Sequence, residues 1–307
     1  MSCTIKPADI KRVKGLGFLN NKGTDLFNGR VVTGNGKITA QQSIAIANAA
    51  MKYGDGTVCY TTRMTVECPG IHYDNIDAFR KEINACGLDT GGTGPKVRPV
   101  VSCKGTTCQY GLLDTFDLAQ KIHERFYVGY HSVVLPHKFK IAVGGCPNNC
   151  VKPDLNDLGI IGQSYPDYMT EKCRKCSKCQ IVTSCPIQAA GLREGVLLVD
   201  EDACNHCGRC IGKCPFGVVN PGEKGYGIYI GGRWGKATAK GKMVDHFFQS
   251  ENEVLEFVEK TILYFLENGN PGERFADTIH RLGFETVQKE LLEGDILSRK
   301  EQLLAKK

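Results

Sequence analysis

Short apolar runs separated by turn residues predict alternating strands and helices in the first half of the chain. A capping box at Thr39-Ala40-Gln41-Gln42 begins an alanine- and isoleucine-rich helix that ends before Gly54. Further helices are predicted at residues 77–85 and 114–127. Runs of β-forming residues predict strands at residues 30–32, 57–65, 97–102 and 138–143. This half therefore has a mixed α/β pattern.

The pattern changes at residues 166–221, which lack regular periodicity and hold eight of the sixteen cysteines. A strand is then predicted at residues 227–230, followed by a glycine-rich loop and two or three helices from about residue 251 onward. Apolar residues recur at helical spacing in the first of these helices, which indicates core packing. They are Val254, Phe257, Val258, Ile262 and Phe265.

Composition indicates a globular protein of one elaborated domain or two. The chain has 307 residues, of which 41% are hydrophobic and 23% charged. No apolar run approaches the length of a membrane span, and the first residues lack the apolar segment of a secretory signal. We therefore expect a cytoplasmic protein, whose cysteines are metal ligands rather than a disulfide framework. The net charge is +6 and the basic residues are scattered, which disfavours nucleic-acid binding.

Two cysteine runs have the spacing of bacterial ferredoxins. Cys204-x2-Cys207-x2-Cys210-x3-Cys214-Pro215 matches the [4Fe–4S] pattern, and Cys173-x2-Cys176-x2-Cys179-x5-Cys185-Pro186 repeats it with a longer last interval. The last cysteine of each run binds the other cluster. One predicted cluster is thus held by Cys173, Cys176, Cys179 and Cys214, and the other by Cys204, Cys207, Cys210 and Cys185. Zinc sites favour two separated pairs, so these tight triplets favour iron–sulfur clusters.

The two runs differ in the charges beside them. Lys172, Arg174, Lys175 and Lys178 flank the first run, whereas Glu201 and Asp202 precede the second. The basic side could raise the potential of the first cluster, face an acidic donor protein, or be a solvated charged surface.

The other cysteines are less specific. Cys103-x4-Cys108 and Cys146-x3-Cys150 are pairs from two distant loops, and their spacing permits zinc, a third iron–sulfur cluster or disulfides. Cys3, Cys59, Cys68 and Cys86 follow no ligand pattern and are expected to be small buried or incidental residues.

Several segments together resemble one known family, the siroheme-containing sulfite and nitrite reductases. They are RVVTGNGKIT at residues 30–39, TTRMTVECPGI at 61–71, LPHKFK at 135–140, GGCPNNC at 144–150, DLGIIG at 157–162, GYGIYIGGRWG at 225–235 and GERFADTIHRLG at 272–283. The resemblance covers about residues 15–285. The cysteine-rich insert and the single-half length are most similar to the C subunit of the anaerobic sulfite reductases, within the dissimilatory-type group.

The resemblance implies an α+β fold, in which a mixed α/β nitrite/sulfite reductase half carries an inserted two-cluster bacterial ferredoxin domain. Residues 1–90 would be the ferredoxin-like half-domain. Residues 91–165 and 222–307 would bind siroheme and a [4Fe–4S] cluster, and residues 166–221 would be the insert.

The resemblance also implies roles for individual residues. Cys103, Cys108, Cys146 and Cys150 would bind a third [4Fe–4S] cluster, with Cys150 bridging to the siroheme iron. The catalytic cations around the substrate anion would be Arg30, Arg98, Lys138 and Lys140. The remaining cofactor-binding residues would be Arg63, which pairs with a siroheme carboxylate, together with Asn148, Gly231, Gly232 and Arg233.

Three features depart from the family pattern: the C-x4-C interval, Met64 after Arg63, and Pro69 in place of a histidine. They bear on loop geometry and on the carboxylate contacts. Arg98 lies five residues before Cys103, and Lys140 lies six residues before Cys146. We therefore expect each cation on a strand that leads into a cluster loop, beside the cysteines.

The implied function is siroheme-dependent reduction of sulfite to sulfide with six electrons. The electrons would pass through the ferredoxin clusters to a coupled [4Fe–4S]–siroheme centre, because no side chain stores electrons. The alternatives are reduction of nitrite to ammonia and an electron-carrier subunit without a working siroheme. A zinc-organised nucleic-acid-binding module is disfavoured.

No nucleotide-binding glycine motif follows a clear strand, so the electrons must come from partners. The resemblance implies an iron–sulfur subunit and a flavin subunit that oxidises NADH. Because assimilatory relatives contain two tandem halves, we expect self-association or a mixed complex.

Overall fold

A computed structural model describes residues 4–305; Cys3 lies outside them. Residues 7–90 build the first of two large sheets together with its covering helices. In chain order these elements are α1 (Pro7–Gly15), β1 (Phe18–Asn20), β2 (Leu26–Val32), α2 (Ala40–Tyr53), β3 (Cys59–Tyr60), β4 (Val66–His72), α3 (Ile76–Ala85) and β5 (Asp89–Thr90). The strands run in the order β1-β2-β4-β3, with β5 also paired to β2 and all pairs antiparallel. Phe18, Phe27 and Phe79 are fully buried in the core of this layer.

The predicted helix starts in this layer are confirmed. Thr39 caps α2, since its hydroxyl accepts from Gln42 N at 3.1 Å while the Gln42 side chain accepts from Thr39 N at 2.9 Å. The helix predicted at residues 77–85 is α3.

The strand predicted at residues 57–65 is wrong in extent. Only β3 pairs there, and Thr61–Thr65 forms a turn in which Met64 has a φ of 56°. The Thr61 hydroxyl accepts hydrogen bonds from the backbone nitrogens of Arg63 and Thr65. These N–H groups are therefore not available to pair with a neighbouring strand. The main strand is β4, where a register shift opposite β2 accommodates Pro69.

The second sheet and its helices come from residues 101–305. In chain order they are β6 (Val101–Ser102), α4 (Thr115–Ile122), β7 (Ile141–Gly144), β8 (Leu158–Tyr168), α5 (Gln180–Ser184), β9 (Ala190–Arg193), β10 (Val196–Val199), β11 (Val219–Ile230), β12 (Lys242–Met243), α6 (Glu251–Asn268), α7 (Phe275–Leu282), α8 (Phe284–Glu293) and α9 (Lys300–Ala305). The sheet order is β12-β11-β8-β7-β6, in which β6, β7 and β8 are parallel and β11 is antiparallel to β8.

Most of the predicted elements here are confirmed, and the main differences concern β6, β8 and the C-terminal helices. The strand predicted at residues 97–102 is reduced to β6, because Pro99 has no N–H to donate to a ladder. The long strand β8 was not predicted; its glycines weaken the strand pattern, yet its first seven residues are buried. The C-terminal part forms four helices within the described residues, where two or three were expected. The apolar stripe of α6 is buried as predicted.

A long ribbon carries the cysteine-rich insert. Strands β8 and β11 pair from Leu158 opposite Ile230 out to Tyr168 opposite Val219. The predicted boundaries at residues 166 and 221 fall within this ribbon. Beyond it, the β9–β10 hairpin and α5 surround a small separate core that includes Ile181 and Leu197. Over residues 4–305, no helix is both long and apolar enough to cross a membrane.

Candidate functional site

Two cysteine loops meet at one end of the second sheet. Cys103 follows β6 and Cys146 follows β7, which are parallel neighbours. Gly145 N lies 3.1 Å from Cys103 Sγ, and Leu112 N donates to Gly145 O at 2.8 Å. A Cβ on Gly105 would stand 2.8 Å from Gly145 Cα, so glycine is required for the loops to approach this closely.

The four cysteines of these loops lie within electrostatic reach of one another. Burial raises the pKa of Cys146, and the thiols of Cys103, Cys150 and Cys108 raise it further. The backbone N–H of Asn148 opposes this rise by donating to Cys146. The side chain of Asn148 and the thiol of Cys150 are exposed. The structure thus brings together the two cysteine pairs, for which the sequence permitted zinc, an iron–sulfur cluster or disulfides. Every cysteine in residues 4–305 is a free thiol.

The eight cysteines of the insert surround two cavities in the combination that the ferredoxin crossing pattern predicts. Cys173, Cys176, Cys179 and Cys214 line a cavity of about 220 Å³. Cys185, Cys204, Cys207 and Cys210 line a tighter one of about 30 Å³. Burial raises the pKa of Cys204, as do the nearby thiols of Cys207 and Cys185. The last cysteine of each run therefore lies with the other run.

Local backbone donors favour the thiolate at two of these positions. The N–H groups of Lys175 and Leu197 lower the pKa of Cys173. At Cys185 burial acts in the opposite direction, but several N–H groups, including that of Ile187, bring the pKa below its usual value. Thiolate is the form that binds metal. Within residues 4–305 no three His, Cys, Asp or Glu side chains are grouped closely enough for a single metal ion.

The second cysteine run is fastened to the body of the protein. Ser164 of β8 pairs with Cys207 through an isolated bridge, and Ser164 N donates to His206 O at 2.8 Å. The His206 ring stacks on Tyr165 at 3.8 Å between centroids. Arg209 lies 5.0 Å over the ring of Tyr110, two residues after Cys108. This cysteine set is therefore the one next to the Cys103 and Cys146 loops.

Basic side chains converge at the other end of the second sheet. Burial, together with the positive charges of Arg63 and Arg274, lowers the pKa of Lys140 to about 8. Burial also lowers the pKa of Arg98 to about 10, with Arg30 adding to the effect. Each member of this cation cluster either shifts the pKa of another member through its charge or has its own pKa shifted by one. The members are Arg30, Arg63, Arg98, Lys138, Lys140, Arg233 and Arg274.

A single buried carboxylate holds the cation cluster together. Asp157 has no exposed side-chain surface and accepts from Arg274 Nη2 at 3.0 Å through both oxygens. Its Oδ2 also accepts from Lys140 N at 2.8 Å. Asp157 directly precedes β8 and Lys140 directly precedes β7, so the parallel pairing of these strands brings the two residues together.

Arg30 and Arg98 share one backbone acceptor. The Nη1 atoms of both donate to Gly92 O. Arg30 also donates twice to Glu67 Oε1, at 2.8 and 2.6 Å. Gly92 N in turn donates to the Tyr127 hydroxyl at 2.9 Å. The segment around Gly92 is therefore held between Tyr127 and the two guanidinium groups.

Arg63 joins the two sheets. Its Nη2 donates to the backbone oxygens of Pro99 and Ile141, and its Nη1 donates to Asn156 Oδ1 at 2.9 Å. Burial lowers its pKa to about 10. Both Nη atoms thus have acceptors within the protein, and the carboxylate pairing implied by the family resemblance stays a prediction.

The glycine loop lies against the same end of the sheet. Gly231 N donates to Asp157 O at 3.0 Å, and a Cβ on Gly232 would stand 2.3 Å from Asn156 O. Arg233 pairs with Asp277 at 2.7 Å.

The cations and the cysteines lie at opposite ends of the same strands. Arg98 and Lys140 precede β6 and β7, whereas Cys103 and Cys146 follow them. At about 3.3 Å per residue, the six-residue step from Lys140 to Cys146 spans up to about 20 Å. The expectation that these cations lie beside the cysteine loops of their own chain is therefore wrong. Parallel strands place everything before them at one edge and everything after them at the other.

The cation cluster has the properties of an anion site. The Nε atoms of Arg63, Arg98 and Arg274 are buried and have no hydrogen-bond partner within residues 4–305. Buried donors without acceptors are costly, and an anionic group with several oxygens supplies such acceptors. The residues present therefore fit a polyanionic ligand.

Sequence reasoning missed five residues of these sites. Asp157 and Arg274 lie in the segments DLGIIG and GERFADT, so the family resemblance already contained a signal for both. Tyr127, Tyr110 and Arg209 gave none, because their contacts form only when distant segments pack.

Comparisons with known proteins agree on a family. Residues 93–296 match the model of the nitrite and sulphite reductase 4Fe-4S domain, and residues 20–86 match the nitrite/sulfite reductase ferredoxin-like half domain. Over 236 residues the chain is 32% identical to the coenzyme F420-dependent sulfite reductase of Methanocaldococcus jannaschii, covering 76% of this chain and 37% of that protein. It is 30% identical over 172 residues to the C subunit of the anaerobic sulfite reductase of Salmonella typhimurium, covering 50% and 49%.

The chain thus spans half or less of the length of these two relatives. A crystal structure of dissimilatory sulfite reductase I has a similar fold, with a TM-score of 0.69 and 22% identity over 87% of this chain and 68% of that one.

Proposed function

The chain belongs to the nitrite and sulfite reductase 4Fe-4S family, and from that premise we propose that it reduces sulfite to sulfide in a siroheme-dependent, six-electron reaction. The observation that carries this proposal is the cation cluster around Asp157, with its three unpartnered guanidinium Nε atoms. Seven basic side chains in this site face three carboxylates, those of Asp157, Glu67 and Asp277, and the excess of positive charge favours anions. Sulfite and the carboxylates of siroheme are both anions.

We assign the cation cluster to the cofactor and the substrate together. Siroheme has eight carboxylates, whose burial without partners would be costly. Arg63, Arg233 and the glycines Gly231 and Gly232 are proposed to hold the macrocycle. Arg30, Arg98, Lys138 and Lys140 are proposed to surround sulfite. When bound, siroheme supplies the iron at which sulfur is reduced, and the clusters supply electrons one at a time.

Lys140 is the proposed proton donor. Its pKa of about 8 leaves Nζ protonated at neutral pH but able to release its proton more readily than an ordinary lysine. The oxygens of sulfite leave as water, so each must receive protons. The hydrogen bond from Lys140 N to Asp157 fixes the backbone from which this side chain extends.

Three thiol sets are proposed to hold three [4Fe–4S] clusters. They are the set of Cys103, Cys108, Cys146 and Cys150, of which Cys150 would also hold the siroheme, and the two crossed sets of the insert. Two contacts support an order of the three cysteine sets along the path of the electrons. They are the bridge between Ser164 and Cys207 and the contact of Arg209 with Tyr110. In that order the Cys173 set is outermost, the Cys204 set is next, and the Cys103 set is innermost.

We propose that a complete centre needs a second chain. The cations of one chain are at the wrong end of β6 and β7 to reach the Cys103 and Cys146 loops of the same chain. A second copy, or a related subunit, can bring its cation cluster to those loops. The proposal also includes the two electron-donating subunits that the family resemblance implies, an iron–sulfur subunit and a flavin subunit that oxidises NADH. It further includes a cytoplasmic location and the three-part domain division.

The function is tested on anaerobically purified protein. An acid–acetone extract should contain siroheme, and reduced methyl viologen should drive sulfite to sulfide. Iron and sulfide without an extractable tetrapyrrole would support an electron-carrier subunit instead. Preferential reduction of nitrite to ammonia would support the nitrite reductase alternative.

The need for a second chain is tested by mixing variants. Lys140→Met and Cys150→Ser should each be inactive alone. If cations and cysteines come from different copies, a heterodimer of the two contains one intact centre and regains about half of the wild-type activity per dimer.

The reciprocal heterodimer is the control. It pairs the double variant, Lys140→Met with Cys150→Ser, with a wild-type chain, and it should be inactive because each centre then carries one defect. Activity of this control, with none in the first heterodimer, would show that each centre is formed within one chain.

A further inference from the structure

Basic side chains surround the opening of the outer cysteine cavity. Arg174, Lys178 and Lys213 line this cavity with their cysteine neighbours, and Lys172 and Lys175 are next to lining residues in the sequence. All five residues, here called the basic rim, are exposed. Arg174, Lys178 and Lys213 form no ion pair with any carboxylate in residues 4–305. Their charge is therefore directed at solvent rather than at the fold.

Apolar side chains lie within the basic rim. Leu192 and Phe216 line the same cavity and are 45% and 46% exposed. Cys176 is also exposed. Exposed apolar groups surrounded by charges are typical of a surface that binds another protein.

The opposite end of the insert contacts the body of the protein and carries acidic residues. The Cys204 set is bound to β8 through Ser164 and to Tyr110 through Arg209. Asp200, Glu201 and Asp202 are exposed just before Cys204. The insert thus has a negative flank near its inner set. Around its outer set the five basic residues outnumber the two exposed carboxylates there, those of Glu171 and Glu194. An acidic protein is attracted to the rim and repelled from the flank, which orients it.

We propose that the basic rim is the docking surface for an acidic one-electron carrier protein. The proposal rests on one part of the proposed function, the iron–sulfur clusters in the insert, and not on sulfite as the substrate. The carrier places its carboxylates on the rim and its redox centre over Leu192 and Phe216, beside Cys176. Each docking event transfers one electron from the carrier, which is oxidised, to the cluster of the outer set, which is reduced. No bond or proton is exchanged.

The experiment measures binding rather than turnover. The oxidised form of an acidic bacterial ferredoxin is the probe, and its dissociation constant for the anaerobically purified holoprotein is measured by calorimetry at low and at high salt. Affinity should fall at least tenfold between about 20 and 300 mM salt, because exposed charges are screened. The triple variant Arg174→Glu, Lys178→Glu and Lys213→Glu should weaken low-salt binding at least tenfold and flatten the salt dependence.

Matched variants control for net charge and for cluster loss. Lys11→Glu, Lys14→Glu and Lys22→Glu reverse the same number of exposed charges on the first half of the chain and should leave the affinity within twofold of wild type. The glutamine version of the rim variant should have an intermediate affinity. Iron content and the spectrum of the reduced clusters must match wild type in each variant used.

Equal loss of affinity in both charge-reversed proteins would overturn the proposal, and so would binding that does not depend on salt. A change in the mass of the holoprotein, measured by light scattering, with no change in ferredoxin affinity would instead assign the rim to a second copy of this chain. Wild-type protein that binds ferredoxin but does not reduce sulfite with methyl viologen would remove the proposed function and leave the docking surface standing.

Discussion

Arg274 Nη2 lies 3.0 Å from both carboxylate oxygens of Asp157, in a position where Asp157 has no exposed side-chain surface. This pair joins the start of β8 to the residue that precedes α7. Burial works to raise the pKa of Asp157, and the charge of Arg274 works to lower it. The ionised carboxylate is what allows the basic side chains around it to lie so close together.

Asp157→Asn should destabilise the protein strongly. It removes the negative charge from among buried cations and leaves Arg274 without its ionic partner. Breaking a buried pair in this way costs about 3–5 kcal/mol. The free energy of unfolding, measured by denaturant titration, should fall by that amount. Asp277→Asn breaks the more exposed pair with Arg233 and should cost less than about 1 kcal/mol. Equal losses would contradict the central role of Asp157.

Turnover should fall as the pH rises through about 8. Lys140 carries its proton below its pKa of about 8 and loses it above, and we propose that the protonated form is the active one. Lys140→Arg keeps the positive charge, but arginine does not release its proton near pH 8. The variant should therefore have a lower kcat, and its kcat should no longer fall as the pH rises through 8. The pH profile of kcat checks the prediction, and an unchanged fall of kcat in Lys140→Arg would assign it to another group.

The same shift has a consequence for stability. The pKa of Lys140 is lower in the folded protein than its usual 10.5. The unfolded chain therefore binds more protons between pH 8 and 10.5, and the contribution of Lys140 to stability rises with pH across that window. Lys140→Met should flatten this rise in denaturant titrations of cofactor-free protein, and a rise identical to wild type would contradict it.

Tyr127→Phe should weaken sulfite binding. It removes the acceptor of Gly92 N, and Gly92 O holds both Arg30 and Arg98. A buried donor without a partner costs about 1–3 kcal/mol, so we expect KM for sulfite to rise about tenfold with a smaller change in kcat. Tyr264→Phe, on α6 near Glu290, is the control. A tenfold fall in kcat with an unchanged KM for sulfite would mean that Tyr127 does not position the arginines.

Gly232→Ala should disturb the cation end of the sheet. Its Cβ would lie 2.3 Å from Asn156 O and 2.5 Å from Asp154 O, and both are backbone atoms that cannot easily move. We expect a loss of about 1–3 kcal/mol in the free energy of unfolding, with a lower siroheme content. Gly15→Ala, where no atom lies within 4 Å of the new Cβ, should be neutral or slightly stabilising. Normal stability of Gly232→Ala would show that the loop can shift.

The sequence alone determined those features that depend on residues close to one another along the chain. Ligand spacing in the two cysteine runs is local, so the crossed sets follow from the spacing itself, and the two cavities agree with them. The helix cap at Thr39 and the apolar face of α6 are local for the same reason.

Tertiary structure decided everything that depends on which end of a strand a residue occupies and on what packs there. Lys140 and Cys146 are six residues apart, and sequence proximity suggested one site, but a strand separates its ends by its full length. The parallel pairing of β7 with β8 brought Lys140 to Asp157, which lies seventeen residues away along the chain. Such contacts depend on strand order and direction, which residue spacing does not encode.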